Sequence, residues 1–156
     1  MSAPGPCPRT TLHASAVVVG EAGILIRGAS GAGKSSLALD LTGWAAETGH
    51  HGALVCDDRV VLLATGGRLV ARPVEAIAGL VEVCGVGIVP VAHAPAAVIR
   101  LVVDLGPEPD RHPPAATETE HLLGVELPRI AVNCAFGKRV VLWRLGHLHD
   151  LRVTVP

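Results

Sequence analysis

A glycine-rich segment carries the residue types that hold a polyphosphate, Gly28-Ala29-Ser30-Gly31-Ala32-Gly33-Lys34-Ser35. It fits the pattern G-x-x-x-x-G-K-[ST], in which glycines let backbone N–H groups approach phosphate oxygens. In this pattern the ammonium of Lys34 reaches the β- and γ-phosphates, and the hydroxyl of Ser35 is a ligand for Mg²⁺. A helix that continues through Ser36 would add partial positive charge from its N-terminus. The segment predicts a nucleoside-triphosphate site, although a glycine turn that caps a helix would have a similar composition.

Two adjacent carboxylates form a second element with chemical potential. Asp57 and Asp58 follow the short apolar run Leu54-Val55-Cys56, and Asp57 comes 23 positions after Lys34. This spacing leaves room for one helix, a turn and the next strand, which would bring both carboxylates beside the phosphates. There one can orient Mg²⁺ or its water while the other accepts a proton from an attacking hydroxyl. On spacing alone the pair could also cap a turn.

The elements that must position these residues can be predicted from the surrounding sequence. An alternating, β-branched stretch over residues 12–19, a glycine-flanked turn over 20–23 and the apolar run 24–26 predict a β-hairpin that leads into the glycine-rich segment. Leu37, Leu41 and Trp44 recur at i, i+4 and i+7, which predicts a helix over residues 34–47, with Gly49 as its C-cap. The segment therefore has the strand–loop–helix context that phosphate binding requires.

Further along the chain, short apolar runs alternate with turn signals. They predict strands, a turn and a loop: strands at residues 54–56, 60–63, 69–70, 80–83, 98–105, 130–132 and 140–143, a helical turn or loop at 74–80, and a Pro-rich surface loop at 106–114. We find no internal repeat in this pattern. We expect a flexible Pro-rich N-terminus over residues 1–11 and a single domain over residues 12–156.

Composition narrows the class of protein. A hydrophobic fraction of 49% and a mean hydropathy of +0.47 exclude a disordered chain, and 156 residues suit one domain with a core. A net charge of −1 favours neither nucleic acid nor an anionic membrane surface as a partner. No apolar run approaches the roughly 20 residues that cross a bilayer. These features predict a cytoplasmic protein, with its four cysteines as buried free thiols.

Several segments in order resemble one known family. They are His13-Ala14-Ser15, the hairpin, the glycine-rich segment, Leu54-Val55-Cys56-Asp57-Asp58-Arg59-Val60 and Leu80-Val81-Glu82-Val83-Cys84-Gly85-Val86-Gly87-Ile88. Together they are similar to the catalytic domain of bacterial HPr kinase/phosphorylase, over roughly residues 12–105. The resemblance implies an α/β fold, a P-loop kinase domain with a central mixed β-sheet and an N-terminal hairpin before the P-loop strand.

The resemblance also implies roles for individual residues. Lys34 would be the catalytic lysine and Ser35 the Mg²⁺ ligand. Asp58 would accept the proton in phosphorylation and return it in the reverse reaction, with His13 supporting the acidic pair. Asp57 would be the neighbour on the metal side, although one sequence does not fix which aspartate does which.

Glu82 would be a second Mg²⁺-site residue by the same resemblance. From the residues alone, His13 would be a hairpin residue and Glu82 an exposed strand residue.

The activity implied is that of an ATP- and Mg²⁺-dependent serine kinase whose partner is the phosphocarrier protein HPr, in a family that forms hexamers. The chain departs from the family pattern at Cys84, where an arginine is usual, and only about a dozen residues precede His13. Near its end it offers Phe136-Gly137-Lys138-Arg139 in place of the family's Pro-Gly-Arg loop.

These departures predict a short form of the family that retains kinase activity, and they leave undecided whether it also catalyses phosphorolysis. They also motivate an alternative, a nucleotide-sensing regulatory module that binds ATP without catalysis. A small-molecule kinase is a third interpretation, which the short, Pro-rich stretch at 106–121 disfavours.

Overall fold

Short apolar strands joined by glycine turns build most of the chain. A computed structural model describes residues 5–106, 118–133 and 135–146. The elements are β1 (Arg9–Leu12), β2 (Ala14–Val19), β3 (Ala22–Arg27), α1 (Lys34–Glu47), β4 (Gly52–Cys56), β5 (Val60–Thr65), β6 (Arg68–Pro73), a 3₁₀ turn (Glu75–Ile77), β7 (Leu80–Val83), β8 (Gly87–Pro90), β9 (Ala97–Leu105), β10 (Glu118–Leu122), β11 (Val125–Val132) and α2 (Gly137–Gly146).

A mixed sheet forms the centre of the fold, with strand order β1-β5-β6-β9-β3-β2-β4. β3 pairs parallel with β9, whereas β2 pairs antiparallel with both β3 and β4. β11 pairs parallel with β9 and antiparallel with β10, and β7 and β8 form a separate two-stranded sheet. The carboxyl ends of β3, β4 and β9 therefore meet at the same edge of the sheet.

The predicted hairpin is confirmed. β2 and β3 pair in register from Ala14 opposite Arg27 to Val19 opposite Ala22, and Gly20 makes the turn with a φ of 63°. A left-handed φ of this kind is open to glycine at no steric cost. All six residues of β2 are buried, which explains why its sequence is apolar except for Ser15.

The N-terminal segment is more ordered than predicted. Residues 9–11 of the region expected to be flexible, residues 1–11, belong to β1 (Arg9–Leu12), which pairs antiparallel with β5, with Leu12 opposite Val60. The β-branched pair Thr10-Thr11 suits an extended conformation. β1 covers the outer edge of β5, an edge that would otherwise present unpaired backbone groups.

The first helix is confirmed over its predicted length. α1 spans Lys34–Glu47 and buries Leu37, Leu41 and Trp44 on the face that the periodicity indicated. Gly49, with a φ of 75°, follows the capping residue Thr48. The helix packs on β2 and β4, and the glycine-rich segment precedes it directly.

The predicted strand at residues 140–143 is wrong, because these residues lie within α2. Val141, Leu142 and Leu145 are buried at positions i, i+1 and i+4, while Trp143 is 56% exposed. A short apolar run does not distinguish a strand from a helix segment by periodicity alone. Burial against the core beside α1 selects the helix.

The hydrophobic core occupies both faces of the sheet. One cluster joins the sheet to α1 and α2, and includes Ile24, Ile26, Leu37 and Leu101. The other lies on the opposite face and includes Leu25 and Val102. The sheet is thus covered on both sides, which accounts for strands such as β2 that carry no polar alternation.

Two further expectations meet mixed outcomes. Among the described cysteines, Cys56 is buried but Cys7 and Cys84 are exposed, and all three are free thiols. Burial raises the pKa of the Cys56 thiol to about 12. The predicted surface loop at 106–114 lies outside the described residues beyond Gly106.

A pair of glycine substitutions tests the packing of the central strands. A Cβ at Gly23 would lie 2.5 Å from the carbonyl oxygen of Val98, which belongs to the neighbouring β9. We expect Gly23→Ala to lower the free energy of unfolding by about 1–3 kcal/mol, as overpacking does. Gly43→Ala is the control, because a Cβ there meets nothing within 4 Å and alanine in a helix interior gains about 0.5–1 kcal/mol. Urea unfolding followed by circular dichroism measures both, and equal midpoints would contradict this packing.

Candidate functional site

The glycine-rich loop, residues 28–33, connects β3 to α1 at the carboxyl edge of the sheet. Gly31 and Gly33 adopt left-handed conformations, with φ of 80° and 102°. Gly33 is the N-cap of α1 and provides no side-chain hydrogen bond, and the first turn contains no acidic residue. The first turn of α1 therefore has neither a side-chain cap nor an acidic residue of its own, which leaves its backbone N–H groups available to an anion.

Lys34 is buried under this loop. Its side chain is 7% exposed, and its Nζ donates hydrogen bonds to the carbonyl oxygens of Gly28 at 2.8 Å and Ala29 at 3.1 Å. An ammonium has three donors, so two are engaged by neutral carbonyls of the loop itself. A buried charge is stabilised most by an opposite charge, which a phosphate oxygen in the loop would supply.

Asp57 is buried, and its carboxylate accepts hydrogen bonds from three other residues of the site. Ser35 Oγ lies 2.8 Å and 3.0 Å from its two carboxylate oxygens, and Ser15 Oγ donates to Oδ1 at 2.7 Å. The backbone N–H of Glu82 donates to Oδ2 at 3.4 Å. Asp57 follows β4 and Ser35 lies in the first turn of α1, so the parallel course of β3 and β4 brings them together as the spacing predicted.

Asp58 points away from that cluster and pairs with His13. Nδ1 of His13 lies 3.1 Å from Oδ1 of Asp58, and the two side chains are 50% and 71% exposed. His13 sits between β1 and β2, just before the strand in which the sequence placed it. The two aspartates therefore separate into a buried carboxylate on the serine side and an exposed one on the histidine side.

The backbone at Asp58 is strained. Its φ is 67°, and the N–H of Arg59 donates to the carbonyl of Asp57 at 2.8 Å, an i to i+2 bond of the kind found in a γ-turn. The N–H of Ala14 holds the Asp58 carbonyl at 3.1 Å. A non-glycine residue in this conformation costs about 1–3 kcal/mol, and such strain concentrates at functional sites.

Glu82 approaches the site through its backbone. Its N–H contacts Asp57, but its side chain is exposed on β7. Cys84, which stands where the resembling family has arginine, lies exposed at the turn after β7. The structure thus brings Lys34, Ser35 and Asp57 together, places Asp58 with His13 beside them, and brings only the main chain of Glu82 into contact.

Oxygen donors at this site fit Mg²⁺. Ser35 offers a hydroxyl and Asp57 a carboxylate, both hard ligands, and Mg²⁺ commonly takes one or two such groups with substrate phosphates and water. Across the described parts of the chain, no group of three or more His, Cys, Asp and Glu side chains is arranged to hold a metal ion. A site with few protein ligands that is completed by phosphate oxygens is the type these residues suit.

Two features of this region escaped the sequence analysis. Ser15 is fully buried and bonds to Asp57, and the signal was a serine inside an otherwise apolar strand. The second feature is a row of charges beside the loop, which we call the charge row: Arg27, Asp104, Arg129, Glu118 and Glu120. Its signal was a charged residue at the end of each of two apolar strands, Arg27 after residues 24–26 and Asp104 after residues 101–103.

Charges in the row stabilise one another. The hydrogen bond to Asp104 raises the pKa of Arg27, and the hydrogen bond from Arg27 lowers the pKa of Glu120. Burial alone would raise the pKa of Asp104, but hydrogen bonds from Arg27 and Arg129 outweigh it and leave that pKa below its ordinary value. The row's contribution to stability is therefore fully present above about pH 5 and is lost as acid protonates the two carboxylates.

Among the described residues, no helix is long and apolar enough to cross a membrane.

Fold and site together define a mixed α/β domain with a glycine-rich loop between β3 and α1, and with an acidic pair after β4, which is separated from β3 by β2. The chain belongs to the HPr Serine kinase C-terminal domain family, whose model matches residues 7–142.

Relatives agree with this assignment. The HPr kinase/phosphorylase of Streptococcus thermophilus is 34% identical over 144 residues, covering 85% of this chain and 45% of the relative. That of Clostridium beijerinckii is 43% identical over 84 residues, covering 54% of this chain and 26% of the relative. The chain thus spans between about a quarter and a half of these curated relatives.

A solved structure shares the fold. The Hpr(Ser) kinase/phosphatase from Coxiella burnetii superposes with a TM-score of 0.70 at 27% identity, covering 85% of this chain and 91% of that chain. The predicted α/β fold with a central mixed sheet is confirmed by this likeness.

Proposed function

We propose that the chain is an ATP- and Mg²⁺-dependent protein serine kinase whose substrate is an HPr-like phosphocarrier protein, and that it acts in the regulation of carbohydrate metabolism. Family membership supports the reaction class, and the relatives' names supply the substrate. The observation that carries the proposal is the division of the acidic pair, one carboxylate buried on Ser35 and the other exposed beside His13.

In this proposal the glycine-rich loop and Lys34 bind the triphosphate. The backbone N–H groups at the start of α1 and the buried ammonium face the phosphate oxygens. Lys34 Nζ would exchange its hydrogen bonds to neutral loop carbonyls for stronger ones to a charged phosphate oxygen, which favours binding. Ser35 and Asp57, with Glu82 nearby, would hold Mg²⁺, which neutralises charge on the phosphates when bound. The hydrogen bonds from Ser15 and Ser35 keep the Asp57 carboxylate in one orientation.

Asp58 is the proton acceptor in this proposal. Its exposed carboxylate takes the proton of the acceptor serine as the serine oxygen bonds to the γ-phosphorus, and the bond to the ADP oxygen breaks. His13 orients the carboxylate through the 3.1 Å contact. The γ-turn fixes the main chain at Asp58, so the carboxylate is held in place before substrate arrives. In phosphorolysis of phospho-HPr, where inorganic phosphate takes the phosphoryl group and pyrophosphate is released, Asp58 would give a proton to the departing serine oxygen.

An ATP-binding regulatory module of the same fold is the second candidate. The exposed Cys84, in place of a positive charge near the site, is the observation that favours it. This alternative keeps the nucleotide loop and Mg²⁺ ligands but not phosphoryl transfer. A homo-oligomer, as in the resembling family, is compatible with both candidates.

Transfer to HPr tests the proposal directly. The full chain is incubated with HPr, Mg²⁺ and γ-labelled ATP, and ADP affinity is measured in parallel by calorimetry. We expect label on HPr, and none on an HPr variant whose acceptor serine is alanine. Binding of ADP without transfer would favour the regulatory module, whereas absence of both would refute nucleotide chemistry by this chain.

A further inference from the structure

The charge row crosses four strands on the sheet face opposite α1. Residues alternate between faces along a strand, so Arg27 shares a face with Leu25, and Asp104 shares a face with Val102. Leu25 and Val102 both belong to the core cluster that contains no residue of α1. The row therefore lies behind the glycine-rich loop and not within the site itself.

Arg27 and Asp104 make the central contact of the row. Nε and Nη2 of Arg27 donate to the two oxygens of Asp104 at 2.7 Å and 2.8 Å, and Nη2 also donates to Glu120 at 2.8 Å. Arg129 donates to the same Asp104 and to Glu118. Arg27 and Asp104 are only 24% and 22% exposed, so this bidentate pair is less screened than a surface ion pair.

The contact between Arg27 and Asp104 lies next to the start of the loop. Arg27 precedes Gly28, and Asp104 precedes Leu105. A Cβ at Gly28 would lie 3.1 Å from the carbonyl oxygen and 3.2 Å from the Cβ of Leu105, so the two strand ends nearly touch where the loop leaves the sheet. The carbonyl of Gly28 in turn accepts the hydrogen bond from Lys34 Nζ.

We propose that Arg27 is a positioning residue for the nucleotide loop. Its bidentate bond to Asp104 fixes the spacing of β3 and β9 at the start of the loop, and through Gly28 it fixes where the Lys34 ammonium sits. Arg27 itself touches no phosphate. The inference rests on the proposed nucleotide binding and adds to it a specific support outside the loop pattern G-x-x-x-x-G-K-[ST].

Arg129 supplies a matched control. It bonds to the same carboxylate, but β11, on which it lies, does not lead into the loop. Replacing either arginine by glutamine removes one charged partner of Asp104. A role confined to general stability would affect both variants alike, whereas positioning would distinguish them.

The test compares ADP affinity in the presence of Mg²⁺ with the unfolding midpoint. We expect Arg27→Gln and Arg129→Gln both to lower the midpoint. Arg27→Gln should weaken ADP binding by about tenfold, equivalent to 1.4 kcal/mol, while Arg129→Gln stays within about twofold of the native chain. Arg27→Lys should fall between, because a lysine keeps the charge but not the two parallel bonds.

Each other outcome counts against the inference. Equal losses of ADP affinity in both glutamine variants, or no loss in Arg27→Gln, would overturn the positioning role of Arg27. If the native chain still binds ADP in that case, the proposed function is unaffected. If the native chain binds no ADP, the proposed function and this inference fall together. Should Arg27→Gln fail to fold, Asp104→Asn replaces it, with the same expected weakening.

Discussion

We expect Asp58→Asn to lower the rate of phosphoryl transfer to HPr by about 10²–10⁴-fold, the usual contribution of a positioned general base. Asparagine has nearly the same shape and tolerates the left-handed backbone at this position. The substitution therefore removes the proton acceptor while leaving the γ-turn and the neighbouring Asp57 in place. Initial rates with labelled ATP measure the loss.

ADP affinity is the companion measurement for this variant. Asp58 is 71% exposed and its contact is with His13, so ADP affinity should remain within about twofold of the native value, roughly 0.4 kcal/mol. Asp40→Asn is the matched control, because Asp40 is exposed on α1 and makes the same change of charge. Full transfer by Asp58→Asn would refute the assigned base.

Removal of the buried ammonium gives the second large effect. Lys34→Gln should lower the rate of transfer by about 10²–10³-fold, comparable to losing a donor to developing charge in other active sites. Nucleotide affinity should fall as well, since in the proposed complex the ammonium would contact the phosphates of the bound nucleotide before the reaction too. Lys34→Arg should not rescue activity, because a planar guanidinium does not fit the place where Nζ contacts two carbonyls at 2.8 Å and 3.1 Å.

Lys138→Gln is the control for this substitution. Lys34 and Lys138 are the only lysines of the chain, and Lys138 is exposed on α2. Calorimetry with ADP and the transfer assay should leave the Lys138 variant unchanged. Native rates in Lys34→Gln would contradict the assignment of the glycine-rich loop as a phosphate site.

Local signals accounted for what the sequence predicted well. The bounds of α1 followed from apolar spacing and from Gly49, which directly follows the capping residue Thr48, and the β2–β3 hairpin followed from turn glycines. Both depend on neighbours within a few positions of the chain. The strand at 140–143 failed for the complementary reason, because burial against the α1 side of the core, a tertiary contact, decided between helix and strand.

In the site, too, the sequence predicted contacts that follow from local spacing but not those between distant parts of the chain. The spacing from Lys34 to Asp57 predicted that this carboxylate lies near the loop. Only the three-dimensional contacts show that Asp57 is hydrogen-bonded to Ser35 whereas Asp58 pairs with His13. A charged residue at the end of each of two apolar strands was visible in the sequence, but only the parallel pairing of β3 with β9 shows that Arg27 and Asp104 contact each other. The side chain of Glu82 was assigned through resemblance, and its role in Mg²⁺ binding remains a prediction.

The parallel pairing of β3 with β9 has a consequence for how the protein is made. Arg27 and Asp104 are 77 positions apart, so the strand that supports the loop emerges long after the loop itself. Contacts between residues so far apart in the sequence form slowly, because closing a long loop costs conformational entropy. A nascent chain that has not yet reached residue 105 already contains the whole glycine-rich loop, Asp57, Asp58 and Glu82. In the proposed function, we therefore expect the chain to become competent to bind nucleotide late in its synthesis, when β9 inserts beside β3, rather than when the loop itself has been synthesised.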